Sequence, residues 1–260
     1  MLASTRRDIV VLKVGGSVSV EADTALAAIA SLHDGGHELV VVHGGGPLVS
    51  EWTKRLGLET RFVRGLRVTD EATRDTALAV LAGLANKRIV AALLARGVPA
   101  AGISGIDGGT FRAAREEPSL GLVGRIELVD SSLVEEMLDA GRVPVVAPAA
   151  IDASDGALLN VNADAAAGAI AASLPARLLV FITDVPGVRS KDGTAIPRLD
   201  ARAARELMAD GTIGGGMLPK VEACLLASAT GGRAAILSAK GVEGIERLLA
   251  GEAVGTVFDA

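Results

Sequence analysis

The segment Asn160-Val161-Asn162-Ala163-Asp164 sets two amides and a carboxylate just ahead of an alanine-rich run, residues 165–173, of helical composition. Asn160 or Asn162 suits the N-cap of that helix, where backbone N–H groups lack partners and the helix dipole favours negative charge. A carboxylate there is either a plain part of a capped helix or one wall of a site for an anionic ligand. Two lysines favour the second reading. Lys13 interrupts the apolar run from Ile9 to Val14, where an ammonium must lose its hydration or point into a cleft, a loss of several kcal/mol unless an anion compensates. Lys220 opens a helical pattern after Gly214-Gly215-Gly216. Gly15-Gly16 and Gly44-Gly45-Gly46 each follow an apolar run, and glycine there lets backbone N–H groups approach an anion with no Cβ in the way. Two cations, two glycine clusters and Asp164 together suit phosphoryl transfer, which needs mainly positioning and charge neutralisation.

The elements that must position these groups alternate between strand and helix. Residues 9–14 read as a buried strand running through the Gly15-Gly16 turn into a helix over 21–33, and 38–43 repeat the pattern, with Pro47 at the first turn of the next helix. Residues 61–69 form a hairpin turning at Gly65 and projecting Arg64 and Arg67. A long helix over 70–96 carries an apolar stripe broken by Asn86-Lys87-Arg88, and a helix of this length often makes a subunit contact as well as core. Strands over 98–103 and 142–147, a second hairpin over 111–128 and a helix over 131–140 complete the first part. The pattern then restarts with a strand over 178–182, helices over 200–210 and 220–229, and a last strand over 233–237. This alternation predicts an α/β fold, a three-layer α/β/α sandwich with a mostly parallel open central sheet, whose ligands sit beyond the carboxyl ends of the strands. No linker separates the halves; the lobe boundary falls near Pro175, giving 1–175 and 176–260.

Composition removes several function classes. With 260 residues, a net charge of −5, no basic run and only four phenylalanines and one tryptophan as aromatics, the chain lacks the footprint of a nucleic-acid binder. No uninterrupted apolar stretch reaches the ~18 residues of a spanning helix, and no signal peptide is evident, which together predict a cytoplasmic protein. The single cysteine, Cys224, rules out an intrachain disulfide. A Gly-x-x-x-x-Gly-Lys-Ser/Thr loop and a Gly-x-Ser-x-Gly elbow are both missing, and Gly35-Gly36 breaks any helical face that could unite His33, Asp34 and His37 as metal ligands.

Lys13-Val14-Gly15-Gly16, His43-Gly44-Gly45-Gly46, Gly65-Leu66-Arg67-Val68-Thr69, Asn160 to Asp164, Thr183-Asp184-Val185-Pro186-Gly187 and Gly216-Met217-Leu218-Pro219-Lys220 occur in the order of the amino acid kinase superfamily. The chain resembles that superfamily from Ile9 to its C-terminus, and most nearly its acetylglutamate kinase branch, to which Gly-Leu-Arg-Val-Thr and Asn-Val-Asn-Ala-Asp point. The resemblance implies ATP-dependent phosphorylation of the side-chain carboxylate of N-acetyl-L-glutamate. It implies that Lys13 and Lys220 neutralise the transferring phosphoryl, with Asp164 holding both. Gly45 and Gly46 would offer N–H groups to phosphoryl and substrate, Arg67 would grip the α-carboxylate as a fork, and Asn160 would bind the acetylamino end. Gly15, Gly16, Thr183, Asp184, Val185, Gly187, Ile213, Gly214 and Gly215 would serve the nucleotide, with Mg²⁺ held largely by phosphates and water rather than by protein ligands. The first lobe would take the acyl amino acid and dimerise, and the second would take ATP.

Two departures touch no proposed charge: Pro219 precedes Lys220, and Gly215 stands where an Asp or Asn is usual before Gly-Met. Arginine-inhibited relatives carry an extra N-terminal helix that links dimers into hexamers. Only twelve residues precede Lys13 and they show no helical pattern, so the expectation is an arginine-insensitive homodimer. Rival readings are a carrier-linked aminoadipate kinase, which Arg67-Val68-Thr69 disfavours, and a non-catalytic sensor, which would not need Lys13, Asp164 and Lys220 together.

Overall fold

The computed structural model describes residues 8–15 and 20–259; Gly16 and Ser17 of the first glycine turn, and residues 1–7, lie outside the described residues. Strand β1 (Ile9–Val14) is followed by helix α1 (Val20–Asp34), β2 (Glu38–His43) and α2 (Gly46–Arg55). A small hairpin of β3 (Phe62–Val63) and β4 (Leu66–Arg67) leads into α3 (Glu71–Leu78), a π-helical stretch (Ala79–Ala85) and α4 (Asn86–Leu94). Next come β5 (Ala100–Ser104), β6 (Phe111–Arg115), β7 (Val123–Val129), α5 (Ser132–Asp139), β8 (Val143–Ala147), β9 (Ala149–Asp152), β10 (Leu158–Val161) and α6 (Ala163–Ser173). The chain closes with β11 (Leu178–Thr183), β12 (Arg198–Leu199), α7 (Ala201–Ala209), α8 (Leu218–Ser228), β13 (Arg233–Ser238), α9 (Ile245–Leu249) and β14 (Thr256–Phe258).

Eight strands form the central sheet in the order β12-β14-β13-β11-β1-β2-β8-β5. All neighbours are parallel except β13 and β14. The sheet runs unbroken across position 175, because β1 pairs with β2 on one side and β11 on the other. Side chains alternate across a strand, and β1 shows the result. Ile9 and Val11 enter one core with residues of α6 and α8, while Val10, Leu12 and Val14 enter the opposite core with α1 and α9. Lys13 shares parity with Ile9 and Val11, so it emerges at the end of the central strand on the side of α6 and α8. The expected three-layer α/β/α architecture is therefore present, and the sheet's middle strand delivers the lysine.

The boundaries expected from sequence fall within a few residues of those observed. Two features that bear on the site were not expected. β9 and β10 join the second hairpin, β6 and β7, in a closed four-stranded unit beside the sheet, so Asn160 lies in a strand and Asn162 is the N-cap of α6. Its side chain accepts from the N–H groups of Asp164 at 2.8 Å and Ala165 at 3.0 Å. The long helix is also interrupted by the π-helical stretch that precedes Asn86. Although Glu71–Leu94 is long and apolar enough to cross a membrane by length and composition, it packs here on α1, α2, β5, β8 and β10.

Helices α6 and α8 approach closely at Gly168, where a Cβ would lie 2.7 Å from Ala223 Cβ and 2.8 Å from its Cα. Gly168→Val should therefore wedge the two helices apart, lowering unfolding stability by about 1–3 kcal/mol and weakening every contact between residues they carry. Urea denaturation, beside ligand-binding calorimetry on the folded fraction, checks both parts.

Candidate active site

Asp164 is in the first turn of α6 and Lys220 in the first turn of α8, the two helices whose close contact fixes their spacing. Lys220 Nζ donates to Asp164 Oδ2 at 2.8 Å and to the Gly216 carbonyl at 3.2 Å. Lys13 Nζ lies 2.8 Å from the other carboxylate oxygen, Oδ1. One carboxylate thus bridges two ammonium groups, all three being largely shielded from solvent. Burial alone would raise the Asp164 pKa, but the charges of Lys13 and Lys220 and their contacts prevail and hold it below the usual carboxylate range. The trio carries a net single positive charge and fronts a cavity of about 490 Å³.

The cavity opens beyond the carboxyl ends of β1, β2 and β11, the place expected for a ligand in an open α/β sheet. Its wall includes Lys13, Gly15, Gly45, Gly46, Arg67, Asn160, Asp164, Thr183, Asp184 and Lys220. These sequence-predicted residues, scattered over more than two hundred positions, meet around one space. Val185, Gly187, Ile213, Gly214 and Gly215 are not in that wall. Ile213 is buried in the core, and Gly187 packs against Thr256, whose Oγ1 would be 2.5 Å from an added Cβ. Gly16 lies outside the described residues.

Helix α2 begins at Gly46 with Gly45 as its N-cap and no side-chain capping bond, so free N–H groups and the positive end of the dipole border the cavity. Arg67 is 7% exposed. Its Nη2 donates to Ser50 Oγ at 2.8 Å and to the Gly46 carbonyl at 3.0 Å, and Phe62 lies over the guanidinium at 4.8 Å. Nη1 is buried and has no hydrogen-bond partner among the described residues. Burial lowers the Arg67 pKa, yet a guanidinium stays charged, leaving a desolvated, unpartnered cationic N–H on a residue that lines the cavity. Asn160 Nδ2 lies 3.4 Å from Thr69 Oγ1, a long contact that leaves its amide available.

Other contributors were not foreseen. Phe62 stacks on Arg67, and Ala239, at the end of β13, reaches the cavity wall from the far part of the chain. His43 and Asn86, both fully buried, pair behind the glycine run. The break that Asn86-Lys87-Arg88 makes in the apolar stripe was the visible trace of that pair.

Comparison with known proteins agrees with the geometry. The family model described as "Amino acid kinase family" matches residues 8–238. The chain belongs to the amino acid kinase family. An acetylglutamate kinase of Dehalococcoides mccartyi is 46% identical over 237 residues, 89% of this chain and 87% of the relative. One from Methanopyrus kandleri is 45% identical over 238 residues, 88% and 94% of the two chains. Among solved structures, smu.665 from Streptococcus mutans UA159 superposes with a TM-score of 0.81 at 26% identity, covering 97% of this chain and 99% of that one. An amino acid kinase uses ATP, which accords with a cavity rich in ammonium groups, a guanidinium and free backbone N–H groups.

Asp164→Asn leaves two ammonium groups facing each other without an anion and should lower stability at neutral pH by about 3 kcal/mol. Because the native carboxyl pKa is depressed, the advantage of the wild type is complete above the unfolded value of about 4 and is lost as pH falls through the native value. Parallel denaturation curves of both proteins from pH 7 down to pH 3 should converge toward the acid end.

Proposed function

We propose that this chain transfers the γ-phosphoryl group of ATP to the side-chain carboxylate of N-acetyl-L-glutamate, giving N-acetyl-L-glutamyl 5-phosphate for arginine biosynthesis. The observation that carries the reading is the Lys13–Asp164–Lys220 bridge in one cavity with the unpartnered Nη1 of Arg67. Relatives at 45–46% identity over most of their length bear the name acetylglutamate kinase, and that supports the choice of acceptor.

Each residue then has a physical task. Arg67, already anchored through Nη2, turns Nη1 toward the α-carboxylate of the acceptor, and Asn160 meets the acetylamino end. The acceptor's side-chain carboxylate has an ordinary pKa of about 4.3 and is ionised at neutral pH, so it attacks without a general base. The difficulty is bringing that anion to an anionic phosphoryl group. Lys13 and Lys220 approach from the sheet and from α8 to neutralise charge that spreads over the transferring group, and Asp164 keeps them from moving apart. The N–H groups of Gly45 and Gly46 add fixed donors that need no reorganisation during the reaction. Thr183 and Asp184 at the end of β11, with Gly15, Gly16, Val185, Gly187 and Ile213 to Gly215, form the nucleotide side.

A divalent ion fits this set only in one manner. Asp164 is ion-paired with two ammonium groups, and no cluster of three or more His, Cys, Asp or Glu side chains suited to a metal is found among the described residues. Mg²⁺ would accordingly be held by the nucleotide's phosphates and water, where it supplies charge neutralisation. In this reading residues 1–175 take the acceptor and make the subunit contact, and 176–260 take ATP. The protein works as a cytoplasmic homodimer. Glu71–Leu94 supports the dimer, because this apolar stretch is only partly buried within one chain and Leu94 is 53% exposed.

Hydroxylamine trapping of acyl phosphate should give a signal with N-acetyl-L-glutamate and far less with glutamate, aspartate or N-acetylaminoadipate. Lys13→Ala should abolish it, whereas Arg67→Lys, which cannot reproduce the fork, should chiefly raise the acceptor KM, by about 10–100-fold. Equal rates with all four acids would refute the assigned acceptor. Light scattering should give the mass of a dimer at micromolar concentration; a monomer or hexamer would refute that part.

A further inference from the structure

We propose that His43 and Asn86 are positioning residues for phosphoryl transfer, locking the Gly44–Gly45 peptide so that its N–H faces the cavity. The inference rests on the kinase reading of that cavity and adds to it two residues that touch neither substrate.

His43 ends β2 and is fully buried. Nδ1 is 2.8 Å from the carbonyl of Gly44, which can only accept, so Nδ1 carries the proton. Nε2 must then accept, and Asn86 Nδ2 lies 3.2 Å away. The Asn86 amide has one admissible orientation. Its nitrogen also faces the carbonyls of Val145 at 2.8 Å and Ile103 at 3.3 Å, while its oxygen accepts from Lys87 Nζ at 3.0 Å. Burial, opposed by the Gly44 hydrogen bond and reinforced by the charges of Lys13 and Lys87, lowers the His43 pKa to about 4, which keeps the ring neutral at the pH of a cell.

The consequence for Gly45 is geometric. In a planar trans peptide the C=O and N–H point in opposite directions, so a Gly44 carbonyl held by His43 sends the Gly45 N–H the other way. The preceding peptide is fixed as well, because Gly44 N donates to the Val14 carbonyl of the strand that carries Lys13, at 3.0 Å. The glycine run is therefore tied on one side to β1 and on the other to Asn86 through His43. Two independent features serve this arrangement. A Cβ at position 102 would lie 1.9 Å from Asn86 Oδ1, so Gly102 makes the room. The π-helical stretch immediately before Asn86 changes the phase of the helix, and such stretches are frequent at functional sites. Within it, Leu81 lies where a Cβ at Gly45 would meet it at 2.6 Å.

The full chain tests this in two ways. In steady-state assays, His43→Leu and Asn86→Leu should lower kcat by about 10²-fold, the size of effect seen on losing an oriented donor, with both KM values within about threefold of wild type. His43→Asn, which keeps a donor near the place of Nδ1, should recover most of that loss. A folded His43→Leu with unchanged kcat, an effect confined to KM, or no rescue by asparagine would overturn the proposal. Should the variants fail to fold, ring ¹⁵N shifts of the wild type decide, since the chain has only three histidines. One neutral Nδ1–H ring unchanged from pH 6 to 8 is expected for His43, and an Nε2–H ring or an imidazolium overturns it. Absence of acyl phosphate formation by the wild type would overturn the kinase reading and this role with it, whereas full activity in His43→Leu overturns the role alone.

Discussion

A single buried carboxylate between two ammonium groups is the constraint on which this structure turns. Asp164 can sit out of water only because Lys13 and Lys220 offset its desolvation, and each lysine is tolerated at its position only because Asp164 is there. The three residues come from the central strand and from the first turns of two different helices, so the bridge forms only when sheet, α6 and α8 have docked. Gly168, by admitting Ala223, sets the spacing that lets the charges meet. Packing of the smallest side chains thus governs the electrostatics of the site.

The bridge also explains why the site needs few reactive groups. A nucleophile that is already ionised asks for no base, so the protein's contribution is to hold positive charge and N–H dipoles in place before the ligands arrive. Arg67 follows the same logic on the acceptor side. Ser50, the Gly46 carbonyl and Phe62 hold one part of its guanidinium, and a desolvated N–H remains for an anion.

Much of this was legible in the sequence because the relevant signals are local. Lys13 inside an apolar run, glycines at strand ends and Asn162 ahead of an alanine-rich stretch each announce their roles within a few residues. The chain order of six such motifs pointed to a family whose fold the structure has. What was missed depends on distant pairing. β9 and β10 are four-residue strands whose partners are fixed by closure with β6 and β7, so no period in 149–161 betrays them. Asn86 looked like a polar interruption of a helix stripe because its partners, His43 and the carbonyls of β5 and β8, lie 17 to 59 residues away. That Gly187 packs against Thr256 and that Ile213 is buried in the core likewise depends on distant pairing, and neither is visible in the motifs beside them.

The π-helical stretch makes the length of the chain between Asp70 and Asn86 as much a part of the site as any side chain. A π turn fits one more residue between bonded groups than an α turn does. Losing one residue from 79–85 and rewinding the rest as α-helix would leave Asn86 facing much as it does, because the two changes offset each other, whereas gaining a residue or losing two would rotate everything beyond by about 100°. Asn86 would then swing off His43 while the composition of the helix stayed almost the same. Over evolutionary time this stretch should therefore admit one change of length and resist the others, unlike a surface loop.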